Sequence, residues 1–177
     1  MVATVENFKK SKEFFKSGEL TSALESLDKV LEHFDQAKEV NKTEMFQYLN
    51  DLLQHCRDNN LPNEEAAVLR TLGRLHSKLR NHVEGLKYSY QALKIQKRIG
   101  KKLDIAESLV FLAEDLEISG NYDECIKTFT EAAEMFHELG KLRKEKDVIK
   151  EINRLKAFSK EIVEDEYILN KFHIDNY

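Results

Sequence analysis

Arg70, Arg74 and Lys78 recur every four residues in the stretch AAVLRTLGRLHSKLRN, so a helix there carries three cations on one face. Leu69, Leu72, Leu75 and Leu79 mark its buried side. Such a stripe can meet phosphates, meet the carboxylates of an acidic protein segment, or simply face water. Other residue types that could do chemistry are present without the spacing that chemistry needs. None of the six histidines (His33, His55, His76, His82, His137 and His173) forms an i, i+4 pair with another ligand-type residue in a breaker-rich pocket, and the two cysteines, Cys56 and Cys125, form no CxxC. Neither a metal site nor a disulfide is expected. Carboxylate runs such as AEDLE read as solvated helix faces rather than acid–base pairs. GxxxxGK, GxGxxG, HExxH and GxSxG are all absent. No nucleophile, base and orienting group can be assembled, so the expectation is a protein that is not an enzyme and uses no cofactor.

The elements that would position the stripe are helices. One proline, six glycines and no tryptophan in 177 residues leave few breakers, and period-two apolar runs are missing. The apolar share of 41% is too high for a disordered chain. No apolar run reaches the roughly 18 residues of a membrane span. The N-terminal MVATVENFKKSKEFF has no signal-peptide core, which predicts a cytoplasmic protein, the nucleus being open as well.

A forty-residue echo organises the chain. Leu69, Leu72, Gly73, Asn81, Glu84, Ala92 and Gly100 correspond to Leu109, Leu112, Ala113, Asn121, Glu124, Ala132 and Gly140. Asn81 and Asn121 are each followed three residues later by glutamate, a capping-box spacing. Asn63 is read in the same way as an N-cap, with Glu64 and Glu65 in the first turn. Gly100 and Gly140 fall where a left-handed residue closes a helix. Gly73 and Gly85, like Ala113 and Cys125, are small residues placed for close helix–helix packing. The echo predicts hairpins 66–79 with 83–99 and 104–118 with 122–139.

The pattern Leu-x-x-Leu-small, followed twelve residues later by a second small residue, resembles the tetratricopeptide repeat (TPR) family. The longer period is similar to the extended repeats of the LGN/Pins or kinesin-light-chain type. The resemblance implies an all-α, right-handed solenoid over 1–160, with hairpins at about 4–38, 66–100 and 104–140. It leaves an extra helix at about 43–58, with Phe46, Leu49, Leu52, Leu53 and Cys56 inward, a capping helix at about 142–164, and a tail at 165–177. In the family, first helices line a concave groove that holds a peptide or helix of a protein partner. Carried over by position, that groove takes Arg70, Arg74, Ser77 and Lys78 from one unit. It takes Glu107, Val110, Glu114, Glu117 and Ile118 from the next, and Val5, Phe8, Lys12 and Phe15 from the first hairpin. Positions matching the chaperone-carboxylate clamp of some members hold Phe8, Lys12, Thr71, Glu107 and Phe111, which leaves only one basic group and argues against that sub-function.

Charge is divided between the units. Leu69 to Lys102 holds ten bases and one acid, whereas Leu103 to Glu138 holds ten acids and one base. The basic unit could serve nucleic acid or another anionic surface, but the acidic unit beside it would repel a polyanion. The reading favoured over that alternative is an adaptor or scaffold whose groove takes a partner with acidic and apolar residues. Neighbouring units could instead neutralise each other, as in an Arg74–Glu114 pair, or copies of the chain could associate basic unit to acidic unit.

Overall fold

The structure, a computed structural model, describes the backbone of residues 2–34 and 40–174, and side chains within 4–34 and 40–160. Among these residues there are eight helices and no strand: α1 (Val2–Lys16), α2 (Leu20–Glu32), α3 (Lys42–Asp58), α4 (Pro62–Lys78), α5 (His82–Ile99), α6 (Lys102–Ile118), α7 (Tyr122–Glu138) and α8 (Leu142–Ile174). The architecture is an all-α helical repeat. Neighbouring helices α4–α5, α6–α7 and α7–α8 pack closely, and α4 also lies beside α2 and α6.

The echo works through close packing. A Cβ added at Gly73 would stand 3.1 Å from the Gly85 carbonyl oxygen, and one at Gly85 would stand 3.1 Å from that of Gly73. The two glycines therefore let α4 and α5 touch backbone to backbone. At the matching positions of the next unit, Ala113 and Cys125 are fully buried. Gly100 closes α5 at φ 82°, donating its N–H to Gln96. The predicted capping boxes are not made. Asn81 and Asn121 occupy the N-cap positions, but neither side chain caps its helix, and Asn121 donates to the Ser119 hydroxyl instead. Both have ψ near 65° rather than the extended value a cap needs. Asn63 lies inside α4, one residue after Pro62, because proline at the first helical position starts the helix earlier.

The N-terminal part departs from the expected register. Ser11 is the small residue of α1, and its hydroxyl donates to the Ala23 carbonyl of α2 at 2.8 Å. Tyr48 of α3 then donates to the Ser11 carbonyl at 2.8 Å and packs edge-on against Phe8 and Phe15. The extra helix thus covers the face of α1 that the resemblance assigned to the groove. α2, rather than α1, stands beside α4. On its other side α3 meets α4, where Phe46 packs on His76 and Arg57 bonds Glu65 at 2.9 Å.

The last helix is longer than the expected 142–164. In each preceding unit the turn follows a residue with positive φ, Arg80 at 62° and Gly120 at 81°. Forty residues on stands Lys160, which is helical, and no breaker follows it before Ile174. Most of the segment read as a separate tail is therefore a continuation of α8; residues 175–177 lie outside the described residues.

Candidate functional site: a charged and apolar face along α2, α4, α6 and α8

The helices α2, α4, α6 and α8 follow one another along one face, and the charged stripe lies in it. Arg74 bonds Asp28 of α2 at 2.7 Å. The Arg74–Glu114 pair expected between the repeats is replaced by this contact, because α2 brings a carboxylate closer than α6 does. Arg70 lies with its guanidinium 5.0 Å from the centre of the Phe111 ring, and its hydrogen bond goes to the Ser108 hydroxyl at 3.3 Å. Among the described residues it has no ion pair. Burial lowers its pKa first, while Asp28, Glu107 and Asp104 act against that from a distance. A cation held out of water and stacked on a ring is one that still favours an anionic partner.

Further along the face, Glu107 and Glu117 are held by α8. Lys144 pairs with Glu107, and Arg154 with Glu117 at 2.8 Å, both partners 37 residues apart in the chain. Between them Val110, Phe111, Phe136 and Val148 line a mostly apolar cleft of about 390 Å³. Glu114 exposes much of its own surface, yet its carboxyl sits in the hollow between α4, α6 and α8. Desolvation there raises its pKa; Arg74 opposes this, and Asp115, Glu117 and Glu151 add to it. Arg74, Lys78, Glu114 and the half-exposed Ile118 line a second cleft, of about 350 Å³, between α4 and α6.

Beneath that cleft lies a polar knot. Asp115 is 2% exposed. It accepts from the Ser77 hydroxyl at 2.7 Å and from the Ser89 hydroxyl. Read from the sequence as part of a solvated acidic face, Asp115 instead joins α6 to α4 and α5. Ser77 is correspondingly buried and holds the knot together at the floor of that cleft.

Arg70, Arg74, Lys78, Glu107, Val110, Glu114, Glu117 and Ile118 are thus brought onto one face. Phe8, Lys12 and Phe15 are elsewhere: Phe8 is buried, Lys12 bonds Glu44 of α3, and Phe15 packs edge-on against Tyr48 and His55. Val5 packs on the same core. Sequence reasoning missed Asp28, Lys144 and Arg154. The 37-residue offset between acid on α6 and base on α8 was the available signal for two of them. His76 is stacked on Tyr88 with ring centres 5.3 Å apart.

Among the described residues no group of His, Cys, Asp and Glu is arranged to hold a metal ion, and no helix is long and apolar enough to cross a membrane. Cys56 and Cys125 are free and buried, and burial pushes each thiol up to about 11. Parts of the charge split are absorbed internally: Lys97 pairs with Glu131 at 3.2 Å and Lys102 with Glu138 at 3.0 Å.

Comparison with known proteins agrees with this architecture. No curated relative matches the chain. A Rap protein complexed with competence and sporulation factor superposes with a TM-score of 0.62 at 14% identity, over 95% of this chain and 52% of that one. The chain therefore spans about half the length of that protein. A TPR-like protein (ct2138) from Chlorobium tepidum aligns at TM-score 0.45 and 18% identity, over 88% of this chain and 95% of its own. A Podosopora anserina putative kinesin light chain with nearly identical TPR-like repeats aligns at TM-score 0.45 and 13% identity, over 87% of this chain and 95% of its own. The tetratricopeptide repeat family model matches residues 64–138, the stretch of α4 to α7, so these two hairpins are similar to that family's repeats.

Proposed function

We propose that the protein is a non-enzymatic adaptor whose α2–α4–α6–α8 face receives a peptide or helix of a protein partner. The observation that carries this reading is Arg70: a half-buried guanidinium stacked on Phe111, bonded among the described residues to a serine hydroxyl alone, beside the apolar cleft of Val110 and Val148. A partner carboxylate next to an aliphatic side chain satisfies both features at once. Affinity then comes from these few anchors rather than from the whole face. The fold it shares with a Rap protein complexed with competence and sporulation factor is compatible with holding a partner on this face. The nucleic-acid alternative is weaker, because Lys97 and Lys102 of the basic unit already pair with the acidic one.

Selection of a displayed peptide library against the wild type and against Arg70→Gln tests the reading. Enrichment of peptides pairing Asp or Glu with an aliphatic residue is expected with the wild type, and its loss is expected with Arg70→Gln at unchanged helicity. Identical pools from the two proteins would reject the site.

A further inference from the structure

α8 repeats the first-helix pattern of the preceding units, and among the described residues no second helix follows it. The echo extends into it: Leu69, Leu109 and Ile149 are 40 residues apart, as are Leu72, Leu112 and Ile152. Leu69 and Leu109 are each 1% exposed, because α5 and α7 cover them, whereas Ile149 is 41% exposed. The difference arises where Lys160 continues the helix instead of turning it. A cleft of about 580 Å³ remains between α7 and α8, floored by Ala133, Ile149 and Ile152 and edged by Glu134, His137 and Lys156. Leu142 extends the apolar strip at 65% exposure.

The preceding units show what such a seat holds and which charges it selects. On α5, Tyr90 and Lys97 reach out to Glu124 and Glu131 of α7, so a basic edge takes an acidic helix. Forty residues after Tyr90, Lys94 and Lys97 stand Thr130, Glu134 and His137, so the outer edge of α7 carries an acid at Glu134 where α5 carries a base. Among the described residues Glu134 has no ion pair, and His137 and Glu145 bond each other at 3.0 Å. We infer that the α7–α8 cleft is a second docking surface, separate from the α2–α4–α6–α8 face. Its occupant is an amphipathic helix of a partner protein with small residues along its apolar stripe and a basic flank toward Glu134. The small residues are those α5 and α7 use in the same role, Gly85 and Cys125 and the two alanines Ala92 and Ala132. At the helix-crossing point Asn153 replaces Gly73 and Ala113, adding an amide that can hydrogen-bond the incoming helix.

Two labelled peptides serve as probes: one with the sequence of α5, which is basic, and one with that of α7, which is acidic. Fluorescence anisotropy against the full chain should show the α5 peptide binding about tenfold tighter or more, the scale set by a close charge pair. Glu134→Lys should cancel or invert that preference, and Ile149→Asp should abolish binding of both. Leu142→Asp, at a still more exposed position, repeats the test if Ile149→Asp loses helicity. No binding of either peptide, equal binding of both, or binding untouched by Ile149→Asp would overturn the inference. So would a wild-type dimer in light scattering that Ile149→Asp converts to monomer, since the occupant would then be a second copy of the chain.

Discussion

Arg74 of α4 and Asp28 of α2, 46 residues apart in sequence, bond each other at 2.7 Å across the head of the repeat array. The pair ties the N-terminal helices to the first full unit. It also removes Arg74 from the cations available to a partner, while Arg70 keeps its guanidinium on the Phe111 ring. Charge reversal at Arg74 sets a new carboxylate against Asp28 and near Glu114. Arg74→Glu should lower thermal stability at neutral pH by an amount on the order of 1 kcal/mol, the scale of a partly exposed pair. Adding Asp28→Arg should return most of it. Calorimetry on the two singles and the double reads this directly, and additive losses would show that the pair is not coupled.

The knot at Asp115 should show strong coupling. Ser77→Ala leaves a buried carboxylate one donor short, at a cost of about 1–3 kcal/mol. In an Asp115→Asn background the same change should cost much less, because a neutral amide loses less when a donor is withdrawn. A double-mutant cycle in urea measures the difference.

Gly73→Ala reverses the usual helix expectation. Alanine is worth about 1 kcal/mol over glycine in a helix interior. Here its Cβ would lie 2.6 Å from the Ser89 hydroxyl oxygen and 3.1 Å from the Gly85 carbonyl oxygen. Overpacking of this kind costs about 1–3 kcal/mol, so the variant should be destabilised or at best unchanged. A clear gain in denaturation midpoint would contradict the backbone contact between α4 and α5.

His76 should make the fold sensitive to acid. Burial between Phe46 and Tyr88 lowers its pKa from the ordinary 6.5, with Glu84 acting in the opposite sense. A base whose folded pKa is depressed stabilises the fold above its unfolded value. That contribution is lost as the pH falls below 6.5 and through the folded pKa. His76→Phe keeps the ring stack and should flatten the stability profile over this window. Proton NMR of the imidazole should give a midpoint below that of an exposed histidine.

How far the sequence could be read depended on whether contacts repeat. From Pro62 to Glu138 each helix meets its neighbour through the same spacing, so Gly73, Ala113, Leu69 and Leu109 announce their roles by matching one another. Before Pro62 the small pair persists, as Ser11 and Ala23, but the contacts that α3 makes do not repeat. Tyr48 reaches Ser11 across 37 residues, and no local period encodes a contact made once. The groove residues carried over to α1 failed for that reason: Phe8, Lys12 and Phe15 form a helical stripe, and a stripe does not state whether water or α3 covers it. Asp115 was missed for a related reason. Its neighbours Glu114 and Glu117 face outward, and one-letter charge does not reveal which of three acids turns inward.

The buried carboxylate also distinguishes repeats that are otherwise much alike. Leucine stands 40 residues either side of Asp115, at Leu75 and Leu155, and the hydroxyls that meet it have no counterparts in the next unit, where Glu117 and Phe129 replace Ser77 and Ser89. Were α6 to dock in another hairpin's place, within the chain or in a neighbouring copy, Asp115 would be buried without donors. Misassembly and exchange of units between molecules are standing hazards for a chain of similar modules. One aspartate and two serines give the order of the units an address.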